Sequence, residues 1–434
     1  MSRSLRGRLK DLENHQPSAW CEIGAGARPN LHGLLRYPAM MVPRMQGDII
    51  DAIMAGTGRG SQVMDPFVGS GTIMTEALLR GLDFTGIDIN PLAVLVCEAK
   101  AAIDGGANVE GAAEQLLHAV RFDVDETIDV DFPGLSKWFD NPCASRLSRI
   151  RRGIMRIDDS ASRKVMWTVF AETIRQCSNS RTSTYKLHMR APGDRIEADR
   201  IVTVFELNLR QTLQRIAAYR ALIATRARKD PEVRLICDDV RNAVVGDRCG
   251  EHQILVTSPP YGDNVTTIPY GQFSYLAMRW IPACDLRGPV EPLMANSHAL
   301  DTASLGGSLK ETQAKADAVR GASPSLDAFM AMAAKEGRSH GVRKVAIFMA
   351  DFLAALKHIR ATSPGPAHWV LTTGNRTAAS MQVPFDDICR EMVCALGARH
   401  IASLQRRLPG KRMPSRNNMG AMITTETTVV VEFA

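Results

Sequence analysis

Two short runs hold residue types whose spacing suits chemistry. The first is Asp65-Pro66-Phe67-Val68-Gly69-Ser70-Gly71-Thr72, behind the apolar pair Val63-Met64. Gly69 and Gly71 have no Cβ, so the backbone there can turn tightly and approach a ligand. Thr72 to Arg80 reads as a helix, with Ile73, Ala77 and Leu78 on one side, and Phe84 to Ile89 as a second strand that carries Asp88. A carboxylate after such a strand–turn–helix unit suits the two hydroxyls of a ribose. The second run is Ser258-Pro259-Pro260-Tyr261, behind the apolar strand Gln253 to Thr257. Two prolines at a strand end fix the backbone and stop further pairing, which leaves neighbouring carbonyls free to accept hydrogen bonds. A planar exocyclic amine needs such acceptors, because its lone pair is delocalised into its ring. Acceptors on its two N–H groups favour a more tetrahedral nitrogen that can attack an electrophile. The tyrosine ring is a stacking surface for a base swung out of a duplex.

Three nucleotide readings compete for the first run. A phosphate-binding loop needs Gly-Lys-Ser/Thr, and here Thr72 and Ile73 follow Gly71. A dinucleotide fold wants a third glycine where Met74 stands. S-adenosylmethionine carries no phosphate and needs neither. The bland alternative is a glycine turn in some other α/β protein, just as Ser-Pro-Pro-Tyr alone could be a proline turn.

With both runs in view, the chain resembles the DNA amino-methyltransferase superfamily, whose members pair a cofactor motif like Asp65 to Thr72 with Ser/Asp/Asn-Pro-Pro-Tyr/Phe. The resemblance is strong over 32–100 and 231–284 and looser over 341–434. It implies a Rossmann-like class I α/β sheet with helices on both faces, S-adenosylmethionine as cofactor, and double-stranded DNA with a flipped base as partner, in a bacterial modification or defence setting where a cognate nuclease is a candidate partner. Carried onto this chain, Asp65, Phe67, Gly69, Gly71, Thr72, Asp88 and Asn90 would hold the cofactor. A Tyr-Pro-Ala-like segment would close over its methionine end through Tyr37 and Pro43. Asp238 or Asp239, at the end of the strand after Glu232, would accept from its adenine amine, and the strand pleat points these two apart. Ser258 would accept from the target amine, the Pro259 carbonyl would take its other hydrogen, Pro260 would fix the loop and Tyr261 would stack. Ser-Pro-Pro-Tyr relatives most often methylate cytosine at the 4-amino group. Adenine methylation in DNA, methylation of a base in RNA and a non-catalytic nucleic-acid-binding module of the same fold stay open as alternatives.

The remaining elements must position these runs. The core is expected from 32–100, 231–284 and 341–434. Residues 101–230 form a mainly helical insertion far longer than a crossover needs, and 285–340 form a mobile insertion; either is a candidate target-recognition segment. Arg146, Arg149, Arg151, Arg152 and Arg156 run without an intervening acid, Arg181 and Arg190 flank a loop, and Arg406, Arg407, Lys411 and Arg412 lie in a basic, proline-interrupted stretch. Arg149, Arg152, Arg190, Arg406, Arg407, Lys411 and Arg412 are therefore the candidate phosphate contacts, against the plainer reading of a solvated face.

Composition bounds the rest. At 434 residues the chain exceeds one ordinary domain, its 45 % hydrophobic and 23 % charged content is that of a globular protein, and a net charge of +7 suits a polyanionic partner. Nine cysteines include no Cys-x-x-Cys pair and ten histidines are scattered, so neither a disulfide framework nor a metal site is expected. Reduced thiols fit a cytoplasm. No stretch nears the ~20 apolar residues of a membrane span.

Overall fold

The computed structural model describes residues 4–15, 20, 28–57, 61–227, 230–246, 252–408 and 425–434. Its centre is a sheet of seven strands: β1 (Gln62–Asp65), β2 (Phe84–Asp88), β3 (Val233–Cys237), β4 (Gln253–Thr257), β5 (Ala367–Gly374), β8 (Arg399–Arg407) and β9 (Thr425–Phe433). Their order is β3-β2-β1-β4-β5-β9-β8. Neighbours from β3 to β5 pair in parallel, and β9 runs antiparallel between β5 and β8. A two-stranded hairpin, β6 (Thr377–Ala378) and β7 (Met381–Gln382), lies outside the sheet.

Every residue of β1, β4 and β5 is buried, as continuous apolar strands covered on both faces should be. Alternate side chains serve opposite layers. Val63, Ile254, Val256, Val370 and Val430 pack with α2 (Pro43–Thr57) and α3 (Thr72–Leu79). Met64, Leu255, Trp369, Leu371 and Val431 pack with α15 (Ser339–Thr362) and α16 (Phe385–Ala395). Helix α1 (Leu5–Asn14) adds Leu9 to the first layer.

A third core contains no strand and is built mainly from helices. It joins α4 (Pro91–Asp104), α5 (Val109–Phe122), α6 (Leu135–Trp138), α7 (Asn141–Met155), α8 (Ser160–Cys177), α9 (Arg200–Ile223) and α10 (Tyr270–Trp280). Leu92, Leu95, Val96 and Ile103 of α4 bury against this set, and Lys164–Glu98 (2.8 Å) and Arg226–Asp104 (2.6 Å) tie the two together. The segment 101–230 therefore shares its core with α4 instead of enclosing one of its own. Residues 285–340, which show little periodicity in sequence, hold α11 (Val290–Leu293), α12 (Ala299–Ala303), α13 (Thr312–Val319) and α14 (Pro324–Lys335). Leu305, Val319, Leu326 and Phe329 bury against α15 and α16. Among the described residues, no helix is long and apolar enough to cross a membrane.

Candidate active site

The carboxyl ends of β1, β2, β3 and β4 open on one cleft of about 900 Å³, counting its open mouth. In a parallel sheet this is where ligands bind. The β1 end supplies Pro66 to Ser70, β2 supplies Asp88 to Asn90, β3 supplies Asp238 to Val240, and β4 supplies Ser258 and Pro260. Tyr37 to Met41 cover one side. Asn264, Tyr270, Leu300, Ser304 and Leu305 complete the wall. The two runs singled out in the sequence thus share one cavity, although nearly two hundred residues separate them.

Backbone geometry explains the glycines. Gly69 and Gly71 have φ of +50° and +75°, the left-handed region that side chains resist. A Cβ on Gly71 would also stand 2.9 Å from the Cys97 Sγ. Beneath the turn, the buried Lys100 ammonium donates to the Gly71 carbonyl and to Thr75 Oγ1, both at 3.1 Å. Burial pulls its pKa down to about 8. Nothing in the motif spacing announces this lysine, though a single cation in the apolar run Pro91 to Ile103 is a signal in retrospect.

Asp88 accepts the Gly69 N–H at 2.8 Å and the Asn90 N–H at 2.9 Å. Burial pushes its pKa up to about 6. Each carboxylate oxygen keeps a lone pair for a further donor, which fits a diol. Asp65 does not line the cleft. It is buried behind the wall, where Oδ1 accepts from Thr257 Oγ1 (2.6 Å) and the Phe67 N–H (3.0 Å), and burial raises its pKa to about 7. Its place is to fasten β1 to β4. Phe67, Gly69 and Thr72 line the cleft; Gly71 shapes the turn from behind.

Asn90 caps α4 by accepting the Leu92 N–H, and its amide nitrogen donates to Tyr37 Oη (3.0 Å) and Ser274 Oγ (2.8 Å). Tyr37 stacks on Tyr270 with ring centres 5.7 Å apart and meets the edge of Phe273. Pro43 is different: it starts α2, is buried there, and is absent from the cleft wall, where Pro38 to Met41 stand instead. Asp238 and Asp239 both reach the wall. Asp239 is tied to the Arg241 guanidinium (Nε 3.0 Å), whereas Asp238 is exposed.

At the second run, Ser258 and Pro260 line the cleft but Pro259 and Tyr261 do not. The Tyr261 ring is half-buried with its edge toward Phe385, and its hydroxyl reaches Ser258 Oγ (3.4 Å) and Glu426 (3.3 Å).

Most of the candidate phosphate contacts are engaged within the molecule. Arg152 pairs with Asp123 and Asp129 (2.8 Å each), Arg149 with Glu126 (3.4 Å), and Arg190 donates to the carbonyls of Ser180 and Gln176. Arg406 is buried, bound to Glu426 across the β8–β9 pair and to the Trp20 carbonyl. Within the molecule these guanidiniums brace the fold. Arg407 is exposed at the end of β8, and Lys411 and Arg412 lie outside the described residues.

The strand order and a cleft shared by the β1 turn and by Ser258 and Pro260 after β4 define a class I methyltransferase architecture. No family model matches the chain, and no solved structure gives a significant match. The chain is 28 % identical over 403 residues to the Type II methyltransferase M.MvaI of Kocuria varians, covering 88 % of this chain and 85 % of that one. A 79-residue stretch, 18 % of this chain, is 30 % identical to the Type II methyltransferase M.BsoBI of Geobacillus stearothermophilus, of which it covers 15 %. Over most of its length the chain is therefore similar to a Type II methyltransferase.

Proposed function

We propose that this protein is an S-adenosylmethionine-dependent DNA methyltransferase that modifies the 4-amino group of cytosine. One observation carries the reading: the glycine turn with Asp88, and Ser258 with Pro260, line the same cleft. Bound there, S-adenosylmethionine supplies an electrophilic methyl carbon on a sulfonium. The chain's own residues do the rest. Asp88 takes ribose hydroxyls, Phe67 and Met40 offer apolar cover, and Asp238 stands where an adenine amine needs an acceptor. Ser258 accepts from the target amine, so that the nitrogen pair can form the N–C bond as the C–S pair returns to sulfur. The amine proton then leaves to an acceptor or to water. With no covalent enzyme intermediate, the rate depends on orientation and on acceptors placed for the developing positive nitrogen. Cytosine is preferred to adenine because Ser258 opens the Ser-Pro-Pro-Tyr run. The names of both relatives supply the methyltransferase half of this reading and a restriction–modification setting.

The test is to sequence DNA from cells expressing the chain by a method that senses modified bases. N4-methylcytosine within a short recurrent motif is expected. N6-methyladenine there would move the assignment to adenine, and unmodified DNA would overturn the proposal.

A further inference from the structure

Beside the cleft lies a second pocket, of about 430 Å³ counting its open mouth. Between Glu172 and Asp194 the chain has no acid, yet it carries Arg175, Arg181, Lys186 and Arg190. This stretch leaves α8, turns and comes back. Ser180 pairs with Met189 in an antiparallel bridge, and the Arg190 N–H donates to the Asn179 carbonyl at 2.8 Å. The returning leg is fastened to α10, where Gln272 Oε1 accepts the Leu187 N–H at 3.1 Å. The loop is thus held in shape. Arg175, Arg181, Tyr185, Lys186 and Phe273 line the pocket, and no carboxylate does among the described residues.

The charges around it are not equally spent. Arg175 is paired with Glu172, and Arg190 is bound to carbonyls. Arg181 is exposed and donates from Nε to the Met189 carbonyl (3.1 Å). Among the described residues, neither Arg181 nor Lys186 pairs with a carboxylate. Two further cations stand close by. Burial lowers the Arg28 pKa, with Tyr185 opposing the fall and the like charge of Arg36 adding to it. Cations gathered without acids repel one another, and an anion among them relieves that repulsion. The Tyr185 ring is 41 % exposed. It meets Phe273 with ring centres 6.1 Å apart, and Phe273 meets Tyr37 of the cleft at 5.5 Å. An anion seated here is therefore a neighbour of the methyl-transfer cleft. A nucleic-acid strand offers both chemistries together, a phosphate for the cations and a flat base for the open ring.

We propose that this pocket seats the DNA strand beside the everted base, with Arg181 and Lys186 on a backbone phosphate and the Tyr185 ring against a neighbouring base. This rests on the DNA-methylation reading above, and it gives the strand contact to the loop 178–190.

The test measures the affinity of the full chain for a fluorescent fragment of unmodified plasmid DNA across a salt series. Tritium transfer at saturating DNA, S-adenosylmethionine affinity and melting are followed alongside. Arg181→Gln and Lys186→Gln should each lower the slope of log affinity against log salt by about one. Transfer at saturating DNA and cofactor affinity should stay as in wild type. Tyr185→Ala should weaken binding roughly 5–150-fold, the worth of one base–aromatic stack, and leave the slope alone. Should Arg181→Gln melt early through loss of its bond to Met189, Lys186→Gln carries the comparison. A slope unchanged in the double variant overturns the proposal, and an affinity unchanged in Tyr185→Ala overturns the base contact. An equal fall in slope in Lys335→Gln, exposed on α14, would mean a general field and overturns it too. A wild-type protein that labels no DNA would instead remove the parent reading.

Discussion

Asp65 sits behind the cleft wall with one carboxylate oxygen bonded twice and the other, Oδ2, without a partner. Burial lifts its pKa to about 7 from an ordinary 3.8, so the charged form is a cost to the fold. That cost is fully present above pH 7 and is relieved as pH falls from 7 toward 3.8, because the folded state then binds a proton that the unfolded state does not. Asp65→Asn keeps an acceptor for Thr257 and Phe67 and removes the charge. It should stabilise the protein at pH 8 by on the order of 2 kcal/mol, with the gap closing by about pH 4; melting curves at both pH values check this. Tyr261 gives a second prediction. Its hydroxyl tethers the loop to Glu426, while its ring, which does not line the cleft, is the stacking surface that the resemblance implies. Tyr261→Phe should keep most of the methyl transfer, and Tyr261→Ala should lose roughly 5–150-fold, the worth of one base–aromatic stack. Equal losses in both variants, measured as tritium transfer, would assign the residue to tethering alone.

Among elements, the helical layer and the sheet are held by α4, which has buried residues all round its length. Deleting 109–223 would bare Leu92, Leu95, Val96 and Ile103, and the expected product is aggregated protein without a cooperative transition; a soluble, cofactor-binding truncation would contradict the shared core. The strands that carry motifs are legible in sequence because buried parallel strands are short apolar runs ended by glycine or proline. The strand β8 is not: Arg406 and Arg407 look like the start of a basic loop, yet they close a nine-residue strand paired with β9. Its half-exposed, alternating pattern is that of a sheet edge. The arginines of α7 read in sequence as an unpaired basic run for a related reason. Their acids lie not within the helix but in the preceding stretch Asp123 to Asp129, and only folding brings Arg149 and Arg152 to them. Residues 285–340 show weak periodicity because α11 and α12 are only four and five residues long.

Across the whole molecule, β4 enters the sheet beside β1 after a long excursion through the helical layer. The cleft is therefore assembled from separate stretches between residues 37 and 305, and its two motifs are visible in sequence while their meeting is a property of the topology. If the cleft holds S-adenosylmethionine, the cofactor should stabilise the chain as one unit, by about 2.7 kcal/mol at a hundred times its Kd. Calorimetry should then show a single transition moved upward. Two transitions, with only one moved, would mean that the helical layer unfolds independently of the site.

The Asn90 amide joins Tyr37, ahead of the first strand, to Ser274 on α10. Three stretches remote in number thus share one pair of amide hydrogens, and the aromatic face of the pocket is secured at a single rivet. Attempts to enlarge the pocket for bulkier cofactor analogues by changing Tyr37 alone would leave one amide hydrogen of Asn90 idle and Tyr270 without its stacking neighbour, so redesign there has to treat positions 37, 90, 270 and 274 as one unit.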